Sequence, residues 1–293
     1  MDRLIIGCGY LGLRVASLWK ARGDDVFVLT RSEERAATLQ EHGLKPILGD
    51  VANSDSLRGL PTAASVLYAV GYDRSGPHSK RAVYVDGLKN VLKQIQGRCQ
   101  RFIYVSSTSV FGQSAGEFVD EMSATEPREE NGQICLDAES VVRQFHDSTA
   151  MSAANAGAII LRLAGIYGPG RLLARTDQLQ RNEPFTGNPE AWLNLIHVDD
   201  AAQAVIASDE RGRLGETYLV CDDQPLRRAE YYSALAARVG APPPRFVELA
   251  VDSSERQQFN KRCLNHRLRN ELGIELRYPT IIDGLNDLVA ASP

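Results

Sequence analysis

Near-continuous apolar runs recur between Arg3 and Gly165: RLIIG from Arg3, DVFVLT from Asp25, LKPILGD from Leu44, ASVLYAV from Ala64, RFIYVSS from Arg101 and AIILRLAG from Ala158. None of them alternates apolar with polar, so each reads as a strand buried on both faces. Between them, LGLRVASLWKARG and DGLKNVLKQIQG place apolar residues at helical spacing. Strands alternating with helices predict an α/β chain, a doubly wound parallel sheet of the Rossmann type.

After GIYGPGR, which ends at Arg171, the rhythm changes to a polar stretch, then NLIHVDDAAQAVIAS from Asn194, then GETYLVCDD from Gly215. This pattern predicts a dinucleotide-binding domain over 1–170 and 195–222, with a smaller C-terminal substrate-binding lobe over 171–194 and 223–293. The length of 293 residues suits one large α/β unit with such an appendage.

Charge narrows the partners. A net charge of −4 and an isoelectric point near 5.8, with no Lys/Arg-rich run, argue against nucleic acid. No apolar run approaches the roughly 18 residues of a membrane span, and the glycine-rich start does not read as a secretion signal. A soluble, cytoplasmic protein acting on a small molecule is the expectation. Cys8, Cys99, Cys135, Cys221 and Cys263 are scattered and form no CxxC pair, so they read as reduced core residues rather than a metal cage.

Gly7, Gly9 and Gly12 form GxGxxG directly after the first strand, with Tyr10 and Leu11 between the last two. The first glycine permits a tight turn, the second lets backbone approach a pyrophosphate, and the third lets helix pack on strand. At the end of the second strand, where an acid would hold the ribose 2′-hydroxyl of NAD, stand Thr30, Arg31 and Ser32, with Arg35 one helical turn on. A guanidinium with hydroxyls suits a 2′-phosphate, which predicts NADP with NAD as the alternative; Arg31 as a solvated loop charge is the other reading. Asp50, with Val51 after it, ends the third strand, placed to bond the adenine amino group or to cap the next helix.

With these residues in place the chain resembles the extended short-chain dehydrogenase/reductases, the NAD(P)-dependent epimerase/dehydratases. The motifs are GCGYLG, GDV, DGLKNVL, RFIYVSSTSVFG, VDE through Pro127, LRLAGIYGPG, NLIHVDDAA and GETYLVCDD, in order to about Asp223. NKRCLN and LRYPTIIDGL look like the atypical, YeeZ-like subgroup. The resemblance implies a catalytic Ser/Thr, Tyr and Lys, with a tyrosinate as base and the lysine lowering its pKa. Ser107 matches the serine. The YxxxK pair is absent: aligned on Ala138 and Glu139, Asn131 stands at the tyrosine and Cys135 at the lysine. No tyrosine lies between Tyr104 and Tyr167, and no lysine between Lys93 and Lys261. The family's helical asparagine is replaced by Tyr84.

A free phenol titrates near pH 10, so it serves as a base at neutral pH only beside a cation, and a serine hydroxyl is a weaker acid still. The replacements to weigh are Tyr84, which by the resemblance faces the nicotinamide or else packs its ring on the sheet, and Tyr167, on the loop leaving the sixth strand, as proton donor or cleft wall. Lys261 and Arg262 could bind a substrate phosphate or carboxylate, or form a solvated pair. Glu139 would support the loop after Ser107, and His197 with Asp199 and Asp200 would shape the cleft floor and cap a helix rather than hold a metal. The expectation is an epimerase/dehydratase-like oxidoreductase with a non-standard site, acting on a small polar molecule such as a sugar nucleotide. A non-catalytic NADP-binding sensor or scaffold is the alternative. By the resemblance, the apolar face of RAVYVDGLKNVLKQI would pair in a homodimer.

Overall fold

The predicted strands form one parallel sheet in the computed structural model, which describes residues 1–152, 155–171, 173–247 and 260–290. The strands are β1 (Asp2–Ile6), β2 (Asp25–Thr30), β3 (Lys45–Leu48), β4 (Ala63–Tyr68), β5 (Cys99–Ser107), β6 (Gly157–Leu163) and β7 (Thr217–Val220). Their order is β7-β6-β5-β4-β1-β2-β3, every pair parallel. The winding direction reverses between β1 and β4, and in such sheets the crevice for a ligand opens at the carboxyl ends of those two strands.

Alternate residues of each strand feed different cores. Ile5 and Ile103 pack with Leu11, Val15 and Trp19 of helix α1 (Tyr10–Ala21) on one face. Leu4, Ile6, Phe102 and Tyr104 pack on the other face, with Leu88 and Val91 of α3 (Gly87–Ile95) and Ile134 and Val142 of α4 (Glu130–Ser152). Between α1 and α3 in the chain, α2 (Glu33–Glu41) follows β2. Helix α5 (Leu173–Gln180) precedes α6 (Val198–Arg211), which lies beside α1. At the amino-terminal ends of the strands, the buried Asp209 carboxylate takes Trp19 Nε1 at 3.2 Å and Arg3 Nη1 at 2.7 Å, and pairs with the Ser65 hydroxyl. Burying that carboxylate is tolerable because each of its oxygens has a donor.

A third apolar cluster collects Tyr167, Leu179, Phe185, Leu226, Tyr232 and Leu235, with Phe185 stacked on Tyr232 at 4.0 Å between ring centres. Parts of the expected small lobe (172, 248–259 and 291–293) lie outside the described residues. Lys261–Cys263 pairs in parallel with Glu117–Val119. The apolar face of α3 is consumed by the core, and its outward face carries the exposed Lys89 and Lys93. Among the described residues, no large apolar side chain on α3 is exposed. No helix among them is long and apolar enough to cross a membrane.

Asp222, just past β7, is 1% exposed, and burial pushes its carboxyl up to about 8. The Gln224 backbone amide opposes this, whereas Asp223 and Asp200 add to it. Because the folded pKa lies above the unfolded one, the fold carries no penalty below about pH 4 and loses stability as pH rises from about 4 to about 8, above which the penalty is constant. Asp222→Asn is therefore expected to stabilise the protein by about 1–3 kcal/mol at pH 8.5 and by little at pH 5. Thermal melts at both pH values check this, and an equal effect at both would contradict it.

Candidate functional site

The crevice at the switch point begins with the glycine turn between β1 and α1. Gly7 has φ +97°, and a Cβ there would come within 2.5 Å of the Ala69 backbone at the end of β4. A Cβ on Gly12 would stand 2.5 Å from the Gly7 carbonyl oxygen, so that glycine lets helix press on strand. Gly9 is different, with no protein atom within 4 Å of an added Cβ. The space over Gly9 faces the amino end of α1, where unpaired backbone N–H groups and the helix dipole favour an anion. The three glycines thus have three separate reasons, and the residues present fit a pyrophosphate.

Two cavities flank this turn, one of about 190 Å³ and one of about 320 Å³, and Gly7, Val70 and Gly71 line both. The smaller is walled by Thr30, Arg31, Asp50 and Val51, all expected to meet the adenosine half of a dinucleotide. Arg31 Nη2 lies 3.4 Å from Asp73 Oδ2, an acid delivered by the loop after β4 that the local pattern TRS gave no reason to expect. Hydrogen bonds from Ser75 hold the Asp73 carboxyl below its usual range. Ser32 does not line the cavity; its Oγ caps α2 by accepting from the Arg35 amide at 3.2 Å. Arg35 Nη2 instead reaches back to the Cys8 carbonyl at 3.4 Å. Burial pushes the Cys8 thiol up to about 11, with Arg35 opposing. Asp50 does not cap the next helix, whose N-cap is Asn53; its Oδ1 accepts from the Ala52 amide at 2.9 Å, and the carboxylate faces the cavity, 4.0 Å from His78 Nε2.

The larger cavity is walled by Gly9, Tyr10, Leu11, Tyr84, Ser107 and Cys135, among others. Ser107, at the carboxyl end of β5, accepts from the Ser109 amide at 3.1 Å through Oγ, which leaves its proton to donate. Tyr84 lies in a π-helical turn, Ala82–Asp86, that leads into α3, and its ring meets Tyr72 edge-on at 6.5 Å. Burial pushes its phenol above the ordinary value, with a backbone hydrogen bond at Tyr72 opposing. An uncharged phenol at neutral pH is a proton donor, not a base. Across the cavity on α4, Cys135 is buried, and Asn131 Oδ1 accepts from Lys80 Nζ at 2.9 Å.

The sequence profile of the NAD dependent epimerase/dehydratase family matches residues 4–221, which take in the glycine turn, both cavities and the sheet. The chain belongs to this family. It is 28% identical over 285 residues to Protein YeeZ of Escherichia coli, covering 94% of this chain and 95% of that one. It is 26% identical to the 4-hydroxy-2-methyl-3-oxo-4-farnesyl-3,4-dihydroquinoline-1-oxide ketoreductase of Stigmatella aurantiaca, covering 80% and 72%. A solved Methylobacillus flagellatus protein, assigned to the NAD-dependent epimerase/dehydratases, superposes with a TM-score of 0.77 at 32% identity over 99% of this chain and 98% of that one.

In this member of the epimerase/dehydratase family, the other residues singled out from the sequence sit apart from the cavity. Tyr167 is 0% exposed, faces the third apolar cluster and donates to the Thr280 carbonyl at 3.4 Å; it lines neither cavity. His197 is fully buried against Tyr278, ring centres 3.9 Å apart, and its Nδ1 caps α6 by accepting from the Asp199 amide. Asp200 accepts from the Arg277 and Tyr278 amides, and Asp199 pairs with Arg14 at 2.8 Å. Lys261 is 3% exposed with Nζ on the Phe111 carbonyl at 3.2 Å, and Arg262 donates to the Gly116 carbonyl at 2.8 Å while covering Phe118. Both cations strap the C-terminal segment to the loop after β5 instead of meeting solvent in the crevice, because their strand pairs with Glu117–Val119.

Two residues, one lining the crevice and one against the Tyr84 ring, were not singled out from the sequence. Arg171 lines the larger cavity and stacks 4.5 Å over the Tyr10 ring, whose hydroxyl donates to the Pro169 carbonyl at 2.9 Å. It closes GIYGPGR, and a lone cation ending a glycine-proline turn at a sheet's carboxyl edge was the available signal. Lys80 is the other, and its signal was its spacing from Tyr84.

Proposed function

We propose that the protein is an NADP-dependent oxidoreductase acting on a small polar carbonyl or hydroxyl compound, with a sugar nucleotide among the candidates, by a site that lacks the YxxxK pair. The observation that carries this reading is that Ser107 and Tyr84 line the same cavity as Gly9 and Tyr10 of the glycine turn. Bound there, a nicotinamide would exchange a hydride with a substrate carbon. Gly7, Gly9 and the amino end of α1 would hold the pyrophosphate, with Arg171 close enough to add a cation. Ser107 would orient the substrate oxygen, and the neutral Tyr84 phenol would give it a proton. Carbonyl reduction is the direction favoured by a donor phenol, and it agrees with the name of the Stigmatella relative.

NADPH is expected to bind at least about tenfold more tightly than NADH, since a charge-assisted contact contributes about 1.5–3 kcal/mol. Arg31 and Arg35 supply the cations near the end of β2, and Asp73 works against them. Arg31→Ala should remove the preference and Asp73→Asn should widen it. Calorimetric titration of both cofactors decides; equal affinities in the unaltered protein would sink the assignment.

A second reading, an NADP-binding sensor or scaffold without turnover, is favoured by Asn131 and Cys135 on α4, where the family resemblance implies tyrosine and lysine. Tight NADPH binding with no turnover across a panel of carbonyls and sugar nucleotides would select it.

A further inference from the structure

We propose that Lys80 and Tyr84 form the proton-delivering pair of this site, moved from α4 to the turn that leads into α3. The inference rests on the oxidoreductase reading above and names the machinery it would use. In KRAVY the two residues stand four apart, the YxxxK spacing written in reverse. On a helical turn, that spacing brings side chains to one face.

The geometry brings them together. Lys80 Nζ lies 5.1 Å from the centre of the Tyr84 ring, and the amine is anchored on Asn131 Oδ1 at 2.9 Å. Asn131 is the residue that aligns with the expected tyrosine, so the structure puts a cation beside the position whose phenol was lost. Tyr84 stands in the cavity wall with Ser107, whereas Lys80 is partly exposed and in touch with solvent. The other titratable groups around the phenol are Tyr72, whose ring meets it edge-on at 6.5 Å, and Cys135, Tyr68 and Tyr104. Burial pushes Cys135, Tyr68 and Tyr104 up, so these three stay neutral at physiological pH. Arg81, next in the chain, is turned to Asp137 at 2.6 Å. Among the described residues, Lys80 is the cation placed over the Tyr84 ring.

The step balances as follows. The carbonyl carbon gains a hydride from NADPH, which becomes NADP⁺. The carbonyl oxygen gains the Tyr84 Oη proton, so one C=O π bond is replaced by a C–H and an O–H bond. The phenolate left behind is stabilised by the Lys80 ammonium until a solvent proton restores the phenol. Lys80 touches no substrate in this scheme and is a positioning residue; Tyr84 is the donor.

The pair is tested on the whole chain carrying 3-fluorotyrosine, which lowers phenol pKa values. The Tyr84 line is assigned in the fluorine NMR spectrum by its loss in Tyr84→Phe. Lys80→Met is expected to raise the Tyr84 titration midpoint by about one pH unit, the size expected for a partly screened charge at this distance. Lys80→Arg should restore most of the shift. NADPH should move the Tyr84 line, and 2′-phospho-ADP-ribose, which lacks the nicotinamide, should not. A midpoint unchanged in Lys80→Met, or a line moved equally by both ligands, overturns the pair. Calorimetry on the same samples keeps the two questions apart: NADPH binding with an unchanged midpoint discards the pair alone, whereas absent NADPH binding discards the cofactor reading.

Discussion

Gly9→Val is expected to abolish dinucleotide binding, by about 100-fold or more, while the thermal transition stays within a degree or two of the unaltered protein. The backbone at Gly9 has a negative φ of −93°, and no protein atom lies within 4 Å of an added Cβ. A branched side chain there meets no protein, only the space that a pyrophosphate would fill. Gly12→Ala is the control with the opposite expectation, because its Cβ would overlap the Gly7 carbonyl oxygen at 2.5 Å. That variant should lose stability first and binding only as a consequence. Circular dichroism melts and NADPH titrations on the same samples separate the two, and a folded Gly9→Val that binds normally would reduce the glycine turn to a structural device.

Glu139→Ala is expected to cost about 3–5 kcal/mol of stability, the range for stranding one member of a buried ion pair. Glu139 is 0% exposed and accepts from Arg162 Nε at 3.0 Å and Nη2 at 2.7 Å, with Ser106 Oγ at 2.7 Å. Arg162 is itself 3% exposed and stacks over Phe111. Removing the carboxylate leaves that guanidinium buried without its counter-charge and frees the end of β5, one residue before Ser107. In a chain of this size each kcal/mol moves Tm by roughly 2–4 °C. The double variant Glu139→Leu/Arg162→Met should recover much of the loss, since two apolar replacements strand no charge. A Tm change under about 2 °C in Glu139→Ala would show that the pair does not stabilise the strand end.

The sheet was legible because parallel strands covered on both faces must be apolar almost throughout, and DVFVLT or AIILRLAG permits little else. The glycine turn was legible for a similar reason: each of its glycines answers a separate steric demand, and such demands survive translation into a one-dimensional pattern. What failed to show was whatever depends on two distant segments meeting. Asp73 reaches Arg31 from a loop forty-odd residues on, so an acid can stand near the end of β2 with none in the local sequence. Lys261 reads as a free cation, yet its strand pairing draws the amine under the Phe111 carbonyl and burial lowers its pKa. Tyr167 lies in a motif at the sheet's edge, but its ring turns to the third apolar cluster, where Gly284 leaves room for it. Lys80 escaped notice because a lysine was sought on α4, after the tyrosine, whereas the cation arrives from the turn before α3.

The most direct measurement is a crystal structure of the protein with NADPH bound. The nicotinamide ring is expected in the larger cavity, with Tyr84 Oη and Ser107 Oγ on the side of C4 that a substrate would approach, and with Lys80 still on Asn131. A nicotinamide lying outside that cavity, or one whose C4 faces away from both hydroxyls, would contradict the proposed chemistry.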